Sequence, residues 1–233
     1  MKKGMVMAMV LVVGFSVSPV LAGSLSGKIS LGVEAPVIPK TKIDKDQNVC
    51  GSERASEKLI LSGDKGVVNA IITINGVSGG KTMPIPAKKI EFVQEKCQFK
   101  PHVLVIPKGA EIDVLNNDPI THNIHTFSSK NAPMNKAQPA TLKKFTSPKF
   151  EEPERIKVQC DIHRGLMSAW FVVADSPYTV VSDSNGKFNI SDVPDGTYQV
   201  DIWHEALGKE TKEVTIKGGA TLDVALSPKK GKE

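Results

Sequence analysis

The chain has 233 residues, 40% of them hydrophobic and 24% charged, and carries a formal charge of +5 at pH 7. That length suits one large or two small domains. The basic excess is mild and no basic stripe interleaves with aromatic residues, which argues against nucleic acid as a partner.

The N-terminus reads as a secretory signal over residues 1–22. Lys2 and Lys3 supply the positive region, an apolar run follows over 5–15, and Val20-Leu21-Ala22 supplies small residues for cleavage. Pro19 and the shortness of the run argue against a stable membrane span; an uncleaved anchor is the alternative. No cysteine stands at the cleavage point, so no lipid anchor is expected there. The expected location is periplasmic or secreted.

Residues 34–56 are polar and irregular. From there on the chain reads as all-β. Short apolar runs occupy 68–74 and 102–106. Ile112 and Val114 alternate on one face, and Ile156, Val158 and Cys160 on another, with Lys157 and Gln159 opposite. Residues 170–173 form a further strand. Pro107, Gly109, Pro119, Pro148 and Pro153 punctuate these runs, a pattern of a sandwich or barrel. Residues 128–142, with Pro133 and Pro139, read as a long exposed loop. A second unit begins near Ser176. Ser184-Asn185-Gly186 is a hairpin signal, because Asn-Gly tolerates positive φ. Alternation at Phe188 and Ile190, at Tyr198, Val200 and Ile202, at Val214 and Ile216, and at Leu222, Val224 and Leu226 marks its strands.

The chain has three cysteines: Cys50, Cys97 and Cys160. In an oxidising compartment thiols tend to pair. A Cys50–Cys97 disulfide would leave Cys160 free, and an exported free thiol needs a reason. Metal ligation is one. The bland alternative is three reduced, buried thiols.

Two motifs carry the chemistry. Cys160-Asp-Ile-His163-Arg-Gly-Leu-Met167 places a thiolate, an imidazole and a thioether on one short loop. Asn116-Asn-Asp-Pro-Ile-Thr-His122 adds an imidazole after a turn. His122, Cys160, His163 and Met167 make the donor set of a mononuclear type 1 copper site. The thiolate and thioether favour Cu(I) while the imidazoles also suit Cu(II), so one electron can pass without ligand exchange. His122 shares a strand face with Ile124 and Thr126; His125, the rival ligand, points the other way. Zinc would use Cys and two His with water and leave Met167 without a role. His102 and His204 read as hydrogen-bonded structural residues. No Cys-x-x-Cys-His occurs, so haem attachment is excluded.

These two motifs resemble the cupredoxins, the small blue copper proteins of the plastocyanin and amicyanin kind, over about residues 24–174. The resemblance implies a Greek-key β-sandwich in which His122, Cys160 and His163 bind copper in a plane with Met167 axial. It also implies that Asn123 braces the cysteine loop. The loop from His163 to Met167 is intermediate in length between those of the two kinds. Residues 176–228, through Asp183-Ser-Asn-Gly-Lys-Phe-Asn-Ile-Ser-Asp-Val-Pro-Asp-Gly-Thr-Tyr198, look like a carboxypeptidase regulatory-like (transthyretin-like) β-sandwich, a docking or stabilising module. The expected function is single-electron transfer between a redox donor and a redox acceptor, with docking near an exposed edge of His163. Copper storage or delivery, with His102, His125 and Met134 as extra ligands, and metal-free docking are the alternatives. No enzyme activity is expected, since four protein ligands leave no open position.

Overall fold

Period-two alternation decides which side of each sheet becomes core. In strand Glu154–Gln159, Ile156 and Val158 are buried while Arg155 and Lys157 are exposed, as a pleat with one wet face requires. The computed structural model describes residues 22–228 of the protein. It is all-β: apart from one helical turn, Gln47–Cys50, every regular element among the described residues is a strand. No helix there is long and apolar enough to cross a membrane. The expected signal segment lies outside the described residues, except for Ala22, which opens a strand.

The strands form two sandwiches. In the first, one sheet runs in the order Asn135–Gln138, His122–Phe127, Glu154–Gln159, Ser168–Ala174, Val103–Pro107. It faces a sheet in the order Lys144–Thr146, Ile112–Asn116, Ile90–Glu95, Gln98–Lys100. Between them lie Phe92, Phe99, Phe150 and Phe171 with Ile106, Ile112, Ile124 and Ile156. Phe171 meets Phe92 and Phe150 edge-on, at 4.7 and 5.7 Å between ring centroids, a geometry the ring quadrupoles favour.

In the second sandwich, Ala22–Leu31 is flanked by Lys187–Pro194 on one side and by Ala220–Thr221 and Val224–Leu226 on the other. The opposing sheet runs Thr179–Val181, Ile71–Asn75, Gly196–His204, Gly208–Ile216. Its core joins Leu25, Ile29, Val67, Ile72 and Ile74 to Tyr178, Ile190, Val200 and Ile202. The expected division into 24–174 and 176–228 therefore does not separate the two cores. Two N-terminal strands cross it and supply a central strand to each sheet of the second sandwich. Alternation identifies a strand but not which core it joins, and these segments are remote in sequence from their partners.

The Asn185-Gly186 turn forms, with the Gly186 amide donating to the Asp183 carbonyl at 3.0 Å. It is not a hairpin: Thr179–Val181 pairs with Ile71–Asn75, and Lys187–Pro194 with Ala22–Leu31. The turn carries the chain from one sheet to the other. Gly186 has φ +74°, and a Cβ there would lie 2.4 Å from the Ile29 carbonyl oxygen, so both conformation and space demand glycine.

The stretch 128–142 also differs from an exposed loop. Asn135–Gln138 pairs with His122–Phe127, and Gln138 is fully buried. Its amide donates to the Val114 and Leu142 carbonyls and accepts from Gln94 Nε2 at 2.6 Å. A polar residue can occupy a core position when its amide is met in this way. The two sandwiches meet at a small seam where Ile71, Val103 and Val172 pack with Trp170 and Trp203. There the Glu205 carboxylate accepts from the Trp170 indole at 3.1 Å and pairs with His102. His204 is buried in the second unit and accepts the Ala206 amide.

Candidate metal centre

The alternation of His122–Phe127 turns His122, Ile124 and Thr126 into the first core. His125 lies on the opposite face, stacked on Phe127 and bonded through Nδ1 to Asp161 at 2.8 Å. Cys160 follows strand Glu154–Gln159 and keeps its inward phase, so its sulfur is fully buried. The loop then folds back on itself. The Cys160 amide donates to the Met167 carbonyl and the Met167 amide to the His163 carbonyl, both at 3.2 Å. Gly165, at φ +81°, takes the left-handed turn that this reversal needs.

The result is a convergence of three donors. Nδ1 of His122 lies 3.2 Å from Nδ1 of His163, which lies 3.7 Å from the Cys160 sulfur. The ligand atoms of all three residues lie within 4.8 Å of one another. Met167 is fully buried in the same core. His102 and His204 stand at and beyond the seam, apart from this cluster.

Each imidazole is bonded at its far nitrogen. His122 Nε2 donates to Asp118 Oδ2 at 2.8 Å, and His163 Nε2 to Asp46 Oδ2 at 2.9 Å. Carboxylates accept, so each ring carries a proton on Nε2, and in its neutral form presents a lone pair at Nδ1. Burial pushes the His122 imidazolium below its ordinary range, against the pull of Asp118. Burial also opposes the Asp118 charge, but the Cys97 amide, the His122 ring and the Lys96 amide together hold its carboxyl low. Cys160 receives the Asn123 amide at 3.4 Å. Burial raises its thiol, with amide donors from Asn123, His163 and Ile162 opposing.

Two ring nitrogens and a sulfur thus converge in a buried pocket. Such a set of soft and borderline donors suits a metal cation. A first-row ion takes histidine nitrogen at about 2.0–2.1 Å and thiolate sulfur at about 2.3 Å, so two such ligands sit within roughly 4 Å of each other. The 3.2 and 3.7 Å separations satisfy that limit. These separations and donor types fit a first-row metal ion, copper among them.

Asn123 spans strand and loop. Its Oδ1 accepts the Asp161 amide at 2.6 Å, and its Nδ2 donates to Asn135 Oδ1 at 2.9 Å. Cys50 and Cys97 form a disulfide, and Cys160 is the free, buried cysteine.

Two features differ from the sequence reading. The ring of His163 has no exposed edge, because Asp46, from residues 34–56, lies over it. Asp46 and Asp118 were not among the expected site residues. Asp118 stands four residues before His122, a spacing that a search for carboxylate partners would have met. Asp46 is 117 residues from His163, and nothing in the sequence links them.

The family model described as polysaccharide lyase family 4, domain II, matches residues 172–224. This gives the second sandwich a likeness other than the transthyretin-like one expected. No curated protein matches the chain. Among solved structures, the chain is similar to a mutant amicyanin in its Cu(I) form, at 18% identity and TM-score 0.34, covering 44% of this chain and 98% of that one. A purple cupredoxin from Nitrosopumilus maritimus gives 20% identity and TM-score 0.31, covering 37% and 100%. A copper-containing nitrite reductase from Thermus scotoductus SA-01 gives 19% identity and TM-score 0.30 over 40% of this chain, which spans only 25% of that protein.

Proposed function

We propose that the protein is an exported, copper-binding electron carrier. His122, Cys160 and His163 hold the ion, Met167 stands as a fourth, weaker ligand, and redox proteins serve as donor and acceptor. The observation that carries this reading is the convergence of the two Nδ1 atoms beside the Cys160 sulfur. Copper bound there would supply a one-electron Cu(II)/Cu(I) couple. The protein contributes a fixed donor set, a dry pocket and two carboxylates that keep both rings in one tautomer. Because nothing has to enter or leave, little rearrangement accompanies the electron. A Cys50–Cys97 disulfide supports an oxidising location, periplasmic or secreted. We assign the copper-binding body to residues 90–174 with the segment 41–54 over it. The second sandwich, a stabilising module, comprises 22–31, 67–75 and 178–226.

The test is an optical and EPR spectrum after one equivalent of Cu(II). An intense visible thiolate-to-copper band, absent in Cys160→Ser, is expected. Weak absorption alone, identical in Cys160→Ser, would overturn the reading.

A further inference from the structure

The Cys50–Cys97 disulfide lies directly behind the two imidazoles. Both its sulfurs lie within 4.8 Å of a His163 ring nitrogen, and the Cys97 sulfur is equally near Asp118 and His122. Each half-cystine also anchors one of the two carboxylates. On one side, Asp46 begins the helical turn Gln47–Cys50, and its carbonyl accepts the Cys50 amide at 2.9 Å. The carboxylate of the same residue accepts His163 Nε2. On the other side, the Lys96 and Cys97 amides donate to Asp118 at 2.6 and 2.9 Å, and Asp118 accepts His122 Nε2. Arg54 closes the assembly from outside, donating to the carbonyls of Cys50, Lys96 and Cys97 at 3.0, 2.5 and 2.6 Å.

Apart from Arg54, which bonds to both, the two chains of contact come from separate parts of the sequence. Asp46 and Asp118 come from segments remote in sequence, and Asp46 adopts φ +53° in a polar stretch with little regular structure. The covalent link between Cys50 and Cys97 joins them directly, with Arg54 bridging the same turn and strand from outside. Both cysteines are buried, which denies access to an attacking thiolate and makes the link a fixed one.

We propose that the disulfide acts as a positioning element for the metal ligands, holding Asp46 on His163 and Asp118 on His122 so that both Nδ1 atoms face the Cys160 sulfur. This rests on the copper reading for its consequence, but its geometric core concerns the metal-free protein. Asp46 and Asp118 are positioning residues that act through the imidazoles. With the rings held, the site is preorganised and the cost of ordering it is met in folding. The two carboxylates also place negative charge beside the ligands, which favours Cu(II) over Cu(I).

Two readouts test it. The first is the imidazole ¹⁵N spectrum of metal-free protein, in which His122 and His163 are both expected as the Nε2–H tautomer. Asp46→Ala should release His163 into mixed tautomers while leaving His122 unchanged, and Asp46→Asn, whose carbonyl accepts the same N–H, should restore it. The double variant Cys50→Ser/Cys97→Ser should release both rings. The second readout is Cu(II) affinity by competition with a chelator. Asp46→Ala should lose about 10–100-fold, the double variant more, and Asp46→Asn little; the reduction potential should rise in Asp46→Ala. A folded double-serine variant with both tautomers retained and affinity within about twofold of wild type would overturn the proposal. Should that variant not fold, Asp46→Ala decides alone: Asp46 is 30% exposed, so its loss leaves the core intact, and an unmoved His163 tautomer would overturn the positioning role. Wild-type protein that shows the expected tautomers but takes up no copper would overturn the copper reading and leave the positioning geometry standing.

Discussion

Asn123 shows how much one amide can organise. It is buried, and its side chain joins the strand bearing His122 to the loop bearing Cys160, through the Asp161 amide, and to Asn135 on the neighbouring strand. Asn123→Ala leaves the Asp161 amide without its acceptor and should cost about 1–3 kcal/mol, lowering the melting temperature by roughly 2–10 °C. A melt within about 1 °C of wild type would show that water replaces the side chain at no cost. The brace concerns the loop more than the ligand atoms, since the amide that reaches the Cys160 sulfur is main-chain and survives the substitution. At this scale the sequence was informative where a side chain's direction follows from strand phase. His122 faces the sulfur and His125 does not, because they differ by an odd number of residues on one strand. It was silent on Asp46 and Asp118. A carboxylate in a polar turn has the same local signature whether it meets solvent or a buried ring.

Polar segments were among the elements hidden from periodicity. Asn135–Gln138 contains no large apolar residue, yet main-chain pairing and the satisfied amide of Gln138 place it at the edge of the first sheet. The segment leading into it is fixed by a charge. Glu154 accepts from the Ser128 and Ser129 hydroxyls, the Ser129 and Lys130 amides and the Asn131 side chain. Burial opposes this charge, but the donors outweigh it and hold the carboxyl at about 2, below its ordinary value of 4.5. A carboxylate whose folded pKa is depressed stabilises the fold fully above its unfolded pKa, and the contribution is lost as pH falls toward the folded value. Glu154→Gln should therefore be less stable than wild type by about 1–3 kcal/mol at pH 7. The gap should close as pH falls from about 4.5 towards 2. Denaturant midpoints at pH 7 and pH 3 check this, and an equal gap at both would show that the carboxylate's charge does not hold the segment.

At the scale of the whole molecule, the path of the chain decides what can fold alone. Ala22–Leu31 and Ile71–Asn75 lie within the second sandwich, and their apolar residues Leu25, Ile29, Ile72 and Ile74 pack on side chains from Tyr178 onward. At Gly27 the approach is so close that a Cβ would lie 1.9 Å from the Leu222 carbonyl oxygen. The two sandwiches are therefore interleaved in sequence. Among the described residues, the sheets of the first, from residue 90 to 174, lie between strands of the second. A chain cut after Ala174 keeps every strand of the copper-binding body but strands Leu25, Ile29, Ile72 and Ile74 without partners. Apolar side chains of that size each lose about 1.5–3 kcal/mol of burial when exposed, and contiguous exposure of this kind drives association. The fragment 23–174 should aggregate or bind a hydrophobic dye strongly, whereas a fragment starting at residue 34 with 67–75 made polar should stay soluble and retain the Cys160 pocket. Equal solubility and equal dye binding of the two fragments would mean that the N-terminal strands find another partner within the first sandwich.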